Sequence, residues 1–456
     1  MRALIAPESR LSGDVRVPGD KSIGHRWLML AATAGGRSRL VSVPLSLDVR
    51  STAACMAKLS PGARPALDVW SSNDGLAVED SRSTWNDVER SLLDATLEVE
   101  GQGRQGLAAP HGSLDCGNSG TTMRLLAGVL ASAPFRSVLT GDESLARRPM
   151  ERVAEPLRTM GAGVGTVDGH APITVDGGAL RGIEYIVPVA SAQLKSAVLL
   201  AAAAADGPTT LTEPAATRDH TERALAALGA PITSHDRTVV LGHGFQHAGF
   251  EGRVPGDLSG AAFLIAAAAV TRSEITIQAV GLNPTRTRFL EVLRRMGVRT
   301  ETRIQRVEVG EPVGDIWVAA DTELVATTVT REELPLVVDE VPVLASVAAL
   351  APGETRFVGG GELRVKESDR LTAMARGIRG LRGSAYDDGD ELVVAGGGLG
   401  GGFGEAGGDH RIAMALSVAA LGATGSSEID GMESAAVSFP GFVETLAAVG
   451  ARVEAV

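Results

Sequence analysis

Arg16-Val17-Pro18-Gly19-Asp20-Lys21-Ser22 returns 237 residues later as Arg253-Val254-Pro255-Gly256-Asp257-Leu258-Ser259. The offset is about half of the 456-residue chain, which is too long for one ordinary core, so two homologous halves are expected. A finer period runs beneath. Leu157-Arg158-Thr159-Met160-Gly161, Leu225-Ala226-Ala227-Leu228-Gly229 and Leu293-Arg294-Arg295-Met296-Gly297 follow one another at 68 residues. Each reads as a helix end, a glycine cap and the start of a strand. Leu446-Ala447-Ala448-Val449-Gly450 is a further copy, a degenerate one lies around Ile378 to Gly383, and Met56-Ala57-Lys58-Leu59 stands where a first would fall. Six units follow, three in each half. The step from Met56 to Leu157 is longer than one period, so an insertion is expected between Ser60 and Glu100 (about residues 60–100). It is polar, with a short helix predicted from Thr84 to Leu93, and reads as a surface excursion.

Within a unit, β-rich stretches such as Arg237 to Leu241 and Glu274 to Ile277 alternate with alanine-rich helices such as Lys195 to Ala205 and Gly260 to Val270. The class is α/β. Helices that are apolar nearly all round belong inside a domain, with sheets packed outside them.

The composition narrows the function. A net charge of -12 argues against a general nucleic-acid binder, because counterion release needs a basic surface. Cys55 and Cys116 are the only cysteines and have no metal-ligand spacing, so free thiols in a reducing compartment are expected. The N-terminal stretch Met1 to Pro7 lacks the apolar core of a signal peptide, and the longest apolar runs are too short to span a bilayer. A cytoplasmic protein is expected. Of 43 basic residues only Lys21, Lys58, Lys195 and Lys366 are lysines. Arginine-favouring codon usage accounts for the scarcity, yet where a lysine stands, a compact point charge can be what is required.

Gly19 to Arg26 ends a turn and opens a helix, which puts Lys21, Ser22 and Arg26 near a helix N-terminus suited to an anion. Asp20 or Ser22 acting merely as a cap is the plainer reading. Gly117-Asn118-Ser119-Gly120-Thr121-Thr122-Met123-Arg124 is a glycine-rich turn running into an apolar helix, where backbone can approach an anion closely. Arg148, Arg218, Arg370 and Arg411 stand in similarly punctuated loops. Singly each reads as a solvated charge; together with Lys21 and Lys366 they suit a ligand with two or three negative groups. Asp339 and Glu367 are candidates for proton transfer.

Taken together, these phrases resemble the 5-enolpyruvylshikimate-3-phosphate synthase family. They are Pro18 to Arg26, Gly117 to Thr121, Arg148-Pro149-Met150, Ser191-Ala192-Gln193, Leu363 to Leu371 and Asp409-His410-Arg411, in the family's order, from Val17 to Phe439. Ser191-Ala192-Gln193 with Thr217-Arg218-Asp219-His220 is similar to its class II branch. The resemblance implies two similar domains, each of three βαβαββ units with helices inside and sheets outside, and an active site in the interdomain cleft. Residues 20–252 would form the domain on the shikimate 3-phosphate side, and 1–19 plus 253–456 the domain carrying Asp339, Glu367, Arg370 and Arg411.

It also implies an enzyme of the shikimate pathway, of the kind glyphosate targets, that moves the enolpyruvyl group of phosphoenolpyruvate to shikimate 3-phosphate. By resemblance, Asp339, Glu367 and Lys21 are catalytic. Lys21, Ser22, Arg26, Ser191, Ala192, Gln193, Arg218, Asp339 and Lys366 bind shikimate 3-phosphate, and Lys21, Gly120, Arg148, Gln193, Arg370 and Arg411 bind phosphoenolpyruvate. No cofactor and no metal are called for. No nucleic-acid or membrane partner is expected, and the chain is expected to act as a monomer. Three features depart from some members: Val437 where a lysine can precede Ser438-Phe439-Pro440, Leu125 where a proline can stand, and Gly24 together with the insertion. Two rival readings remain at this stage. One is an enolpyruvyl transferase acting on a UDP-sugar or another cyclic polyol phosphate; the UDP-sugar type needs a reactive cysteine, and Cys116 lies in the wrong phrase. The other is a non-catalytic anion-binding protein, which would have lost Asp339, Glu367 or Lys21.

Overall fold

Both copies of the Val-Pro-Gly-Asp phrase lead into a helix, Lys21–Thr33 and Leu258–Val270, and in both the aspartate is the cap. Asp20 accepts from the Ile23 N–H at 3.0 Å and Asp257 from the Ser259 N–H at 2.8 Å. This fixes the first turn by satisfying a backbone donor that has no partner within the helix. The glycine before the cap allows the approach: a Cβ on Gly19 would stand 2.2 Å from the Ser42 carbonyl oxygen.

In this computed structural model, which describes residues 1–7, 9–62, 96–321 and 323–456, the chain divides into two units. A terminal unit comprises Met1–Pro18, Pro255–Arg306 and Pro312–Val456, and a central unit comprises Gly19–Val254 with Val307–Glu311. Most of the expected insertion, including its helix at Thr84 to Leu93, lies outside the described residues.

The fold is mixed α/β, and among the described residues each unit has three small sheets. All six sheets share one pattern, a short edge strand paired in parallel and the next pairs antiparallel. In the central unit, for example, Leu114–Asp115 runs parallel to Arg136–Thr140, which pairs antiparallel with His170–Asp176. In the terminal unit Thr328–Val329, Gly353–Phe357 and Glu391–Gly396 repeat the arrangement.

Inside each set of sheets lie three helices buried almost all round. These are Lys21–Thr33, Gly120–Leu130 and Ala192–Ala202 in the central unit, and Leu258–Val270, Val341–Ala348 and His410–Leu421 in the terminal one. Their alanines and glycines let backbones touch; a Cβ on Gly128 would stand 2.1 Å from the Ala197 carbonyl oxygen. No helix of the described residues is long and apolar enough to cross a membrane. A second set, including Glu151–Met160, Arg288–Arg295 and Arg370–Gly380, buries one face only.

The periodic helix end has a common geometry. Gly161, Gly229, Gly297 and Gly450 are left-handed, at φ 113°, 91°, 89° and 105°. The N–H of each bonds back three residues, and the next N–H bonds back five, as in Ala162 to Leu157 and Ala451 to Leu446. The degenerate copy keeps both bonds, Arg382 to Arg379 and Gly383 to Ile378, but its left-handed residue is Arg382, at φ 63°. An L side chain there is strained, and Arg382 is exposed. Arg382→Gly should therefore raise the free energy of unfolding by about 0.5–1 kcal/mol, the ~1–2 kcal/mol of left-handed strain less what glycine adds to unfolded-chain entropy; urea denaturation measures it, and a lower midpoint would contradict it. The copy at Met56 to Leu59 ends otherwise, with Ser60 extended.

Candidate active site

In the central unit, the candidate residues cluster at the starts of the inner helices. With Asp20 serving as the cap, Lys21 is left to extend its ammonium to Asp48 Oδ2 at 2.9 Å, with 14% of the lysine side chain exposed. Arg26, one turn on and buried, donates to the Ser22 carbonyl at 2.7 Å, to Ser196 Oγ at 2.7 Å and to Thr221 Oγ1 at 2.8 Å. Burial pushes its pKa down to about 10, with Glu222 and Asp20 opposing and the nearby charge of Arg218 adding to the fall. Arg218 itself is half-buried, in the loop before the helix His220–Ala227.

Ser119 and Ser191 cap the other two inner helices, accepting from the N–H groups of Thr122 and Leu194. A Cβ on Gly120 would stand 2.8 Å from Arg124 Nη1 and 3.4 Å from Arg148 Nη1, so two guanidinium groups overhang bare backbone. Arg124 donates to Gln193 Oε1 at 2.6 Å, and Gln193 donates to Thr121 Oγ1 at 2.9 Å. Arg148 donates to Asn118 Oδ1 at 2.7 Å. Gly120, Arg148 and Gln193, far apart in sequence, are thus neighbours, and Ala192 follows the Ser191 cap. Helix dipoles and guanidinium groups converging on one patch suit a carboxylate or phosphate.

The terminal unit holds the remaining candidates around Arg370, whose side chain is 2% exposed. Its guanidinium donates to Asp409 Oδ2 at 2.8 Å, Glu367 Oε2 at 2.5 Å and Asp339 Oδ1 at 3.4 Å. Burial works against the charge, but Asp409, Glu367 and Asp339 outweigh it and hold the Arg370 pKa above that of an ordinary arginine. Asp409 caps the helix His410–Leu421 and also accepts from Ser368 Oγ at 2.9 Å. Burial would raise its pKa; Arg370 prevails and lowers it. Arg411 donates to the Asp339 carbonyl at 2.8 Å. Lys366 Nζ lies 3.9 Å from Asp339 Oδ1. Although 30% of the Lys366 side chain is exposed, desolvation lowers its pKa, against the pull of Asp339.

Nine of the candidates therefore lie in the central unit and five in the terminal one. Sequence reasoning assigned no role to Asp48, Arg124 or Asp409. Asp409 and Arg124 stood within quoted phrases; Asp48 follows an unremarkable Ser46-Leu47 and nothing near it marks a partner for a lysine 27 residues away. Comparing the twin phrases position by position carries a further signal. Lys21 and Arg26 align with Leu258 and Phe263, both buried in the core of the terminal unit. The terminal copy folds with apolar residues at these two positions, so the repeat itself does not require cations there.

The family model described as EPSP synthase (3-phosphoshikimate 1-carboxyvinyltransferase) matches residues 5–68 and 82–446. A 3-phosphoshikimate 1-carboxyvinyltransferase of Halorhodospira halophila is 46% identical over 454 residues, covering 99% of this chain and 96% of the relative. One from Acidithiobacillus ferrooxidans is 44% identical over 442 residues, covering 97% and 96%. Among solved structures, an EPSP synthase of Acinetobacter baumannii superimposes with a TM-score of 0.83 at 37% identity, over 99% of both chains.

Proposed function

The chain belongs to the EPSP synthase (3-phosphoshikimate 1-carboxyvinyltransferase) family, and from that membership we propose which of its residues do the work. The reaction moves the enolpyruvyl group of phosphoenolpyruvate to the 5-hydroxyl of shikimate 3-phosphate in aromatic biosynthesis. The central unit supplies most of the shikimate 3-phosphate contacts: Arg26 and Ser22 for the carboxylate, and Ser191, Ala192, Gln193 and Arg218, with Lys366 of the terminal unit, for the phosphate and ring. Gly120, Arg148, Gln193, Arg370, Arg411 and Lys21 receive phosphoenolpyruvate. The observation that carries this reading is the replacement of Lys21 and Arg26 by buried Leu258 and Phe263 in the twin repeat.

Two anionic substrates must first be neutralised and held, and fixed cations do this without reorganising as charge develops. The 5-hydroxyl oxygen then forms a bond to C2 of phosphoenolpyruvate, giving its proton to Asp339, while the double-bond pair takes a proton from Glu367 at C3. Lys21 stabilises the tetrahedral adduct. In the second half C3 returns a proton, the bond from C2 to the phosphate oxygen breaks, and phosphate leaves with the electron pair. Release of inorganic phosphate that requires both substrates tests the reading. Release from phosphoenolpyruvate alone at the same rate would contradict it.

Three cations, Lys366, Arg370 and Arg411, surround three carboxylates, Asp339, Glu367 and Asp409, so this cluster carries no net charge until substrate arrives. Bringing phosphoenolpyruvate into it favours protonation of a carboxylate, the form in which Glu367 can act as an acid. Substrate binding should therefore take up protons. Calorimetry in two buffers of different ionisation enthalpy measures this, and a buffer-independent heat would contradict it.

The UDP-sugar alternative is disfavoured by Cys116, a free thiol whose pKa is pushed up by its hydrogen bond with the Cys55 thiol and by burial, the opposite of an activated nucleophile. Action as a single chain in the cytoplasm belongs to the same proposal, and sedimentation velocity tests the first part of it.

A further inference from the structure

Lys195 is the one lysine of the four to be almost completely enclosed, with 2% of its side chain exposed. It projects from the helix Ala192–Ala202, and its ammonium sits 2.7 Å from Glu213 Oε2 and 2.7 Å from Glu222 Oε1. These two carboxylates bracket one segment: Glu213 follows the strand Thr209–Thr212, and Glu222 lies in the first turn of the helix His220–Ala227. Residues 214–221 between them carry Arg218. The other oxygen of Glu213 accepts from Thr217 Oγ1, immediately before Arg218. On the far side of the segment Thr221 Oγ1 donates to Ser196 Oγ at 2.7 Å, and Arg26 donates to both of these hydroxyls.

We infer that Lys195 is a positioning residue for shikimate 3-phosphate, its ammonium tying both ends of the Arg218 segment to the inner helix so that Arg218 and Arg26 are held at a fixed spacing. This rests on the proposed roles of Arg218 and Arg26. A single cation between two buried carboxylates needs a compact, three-donor head; a planar guanidinium on a longer stem would push them apart, which is the physical reason for a lysine in a chain that otherwise prefers arginine. Burial alone would lower the Lys195 pKa, and Glu222 and Glu213 more than reverse that, so the ammonium keeps its charge; burial raises the Glu222 pKa against the pull of Lys195, so the two 2.7 Å contacts carry the tie. Without it Glu222 and Glu213 repel, and Arg26, on which the Glu222 charge already acts, is drawn toward the carboxylates and away from substrate.

The test is the Kd for shikimate 3-phosphate, by calorimetry, together with both KM values. Lys195→Met should weaken shikimate 3-phosphate binding at least tenfold, about 1.4 kcal/mol, while the KM for phosphoenolpyruvate changes less than about twofold. A purely structural role would lower thermal stability and leave this split absent. Lys195→Met combined with Glu213→Gln and Glu222→Gln removes the unpaired charges, so it should fold even where the single variant does not, and still bind weakly because the ties are gone. A folded variant of either kind with parental affinity overturns the inference. Arg218→Gln separates the two levels: if it also binds as the parent does, the role of Arg218 fails and the inference with it. If it binds weakly while the Lys195 variants do not, only the inference fails.

Discussion

Glu367→Gln should fold like the parent, bind shikimate 3-phosphate within a few-fold of it, and lose about 10²–10⁴ of turnover, the usual worth of a positioned proton-transfer group. The amide keeps an oxygen that can accept from Arg370 Nη2, the contact made at 2.5 Å by the carboxylate, so the cluster has little reason to rearrange. What it loses is the capacity to deliver a proton to carbon. Asp339→Asn should behave alike, since the backbone carbonyl that receives Arg411 is untouched. Phosphate release under saturating substrates measures both. Parental turnover in either would remove that residue from its proton-transfer role.

Arg370→Met should destabilise the protein by about 3–5 kcal/mol near neutral pH, because it leaves Asp409 buried without its main counter-charge. The sign of the pH dependence should reverse. In the parent, the Asp409 pKa is held below its ordinary value, so its contribution is present above the unfolded-state pKa and is lost as pH falls through the folded value. In the variant, burial is no longer opposed by Arg370 and raises that pKa, so the Asp409 deficit is largest at neutral pH and shrinks on acidification. Denaturation midpoints at pH 7.5 and 5.5 decide it. The gap between parent and variant should narrow at the lower pH, and a gap that stays the same would show that Asp409 is held by Ser368 and backbone N–H groups instead.

The fold was legible because repetition exposes it. A Val-Pro-Gly-Asp phrase seen twice and a helix end seen at 68-residue spacing count the units, and all-round apolar helices can only be interior. Where a copy diverged, the sequence misleads: Gly383 looks like the cap of its helix, yet Arg382 takes the left-handed position. The candidate site was legible where a turn, a glycine or a cap stands near a charge, as at Lys21, Gly120 and Arg411. It was illegible where the partner comes from another element. Asp48 meets Lys21, Arg124 joins Gln193 to the glycine loop, and Lys195 gathers Glu213 and Glu222 through packing alone. Such pairings depend on how inner helices approach one another, and that is set by small residues such as Gly128 rather than by any phrase containing the charges.

The proton placed on C3 of phosphoenolpyruvate is the step that separates addition and elimination from direct displacement, and it leaves a label. Turnover in D2O, followed by mass spectrometry of the product, should show deuterium in the transferred methylene group, because C3 passes through a methyl before it gives a proton back. Product formed at the parental rate with no deuterium at that carbon would contradict the account, and with it the assignment of Glu367 as the residue that protonates C3.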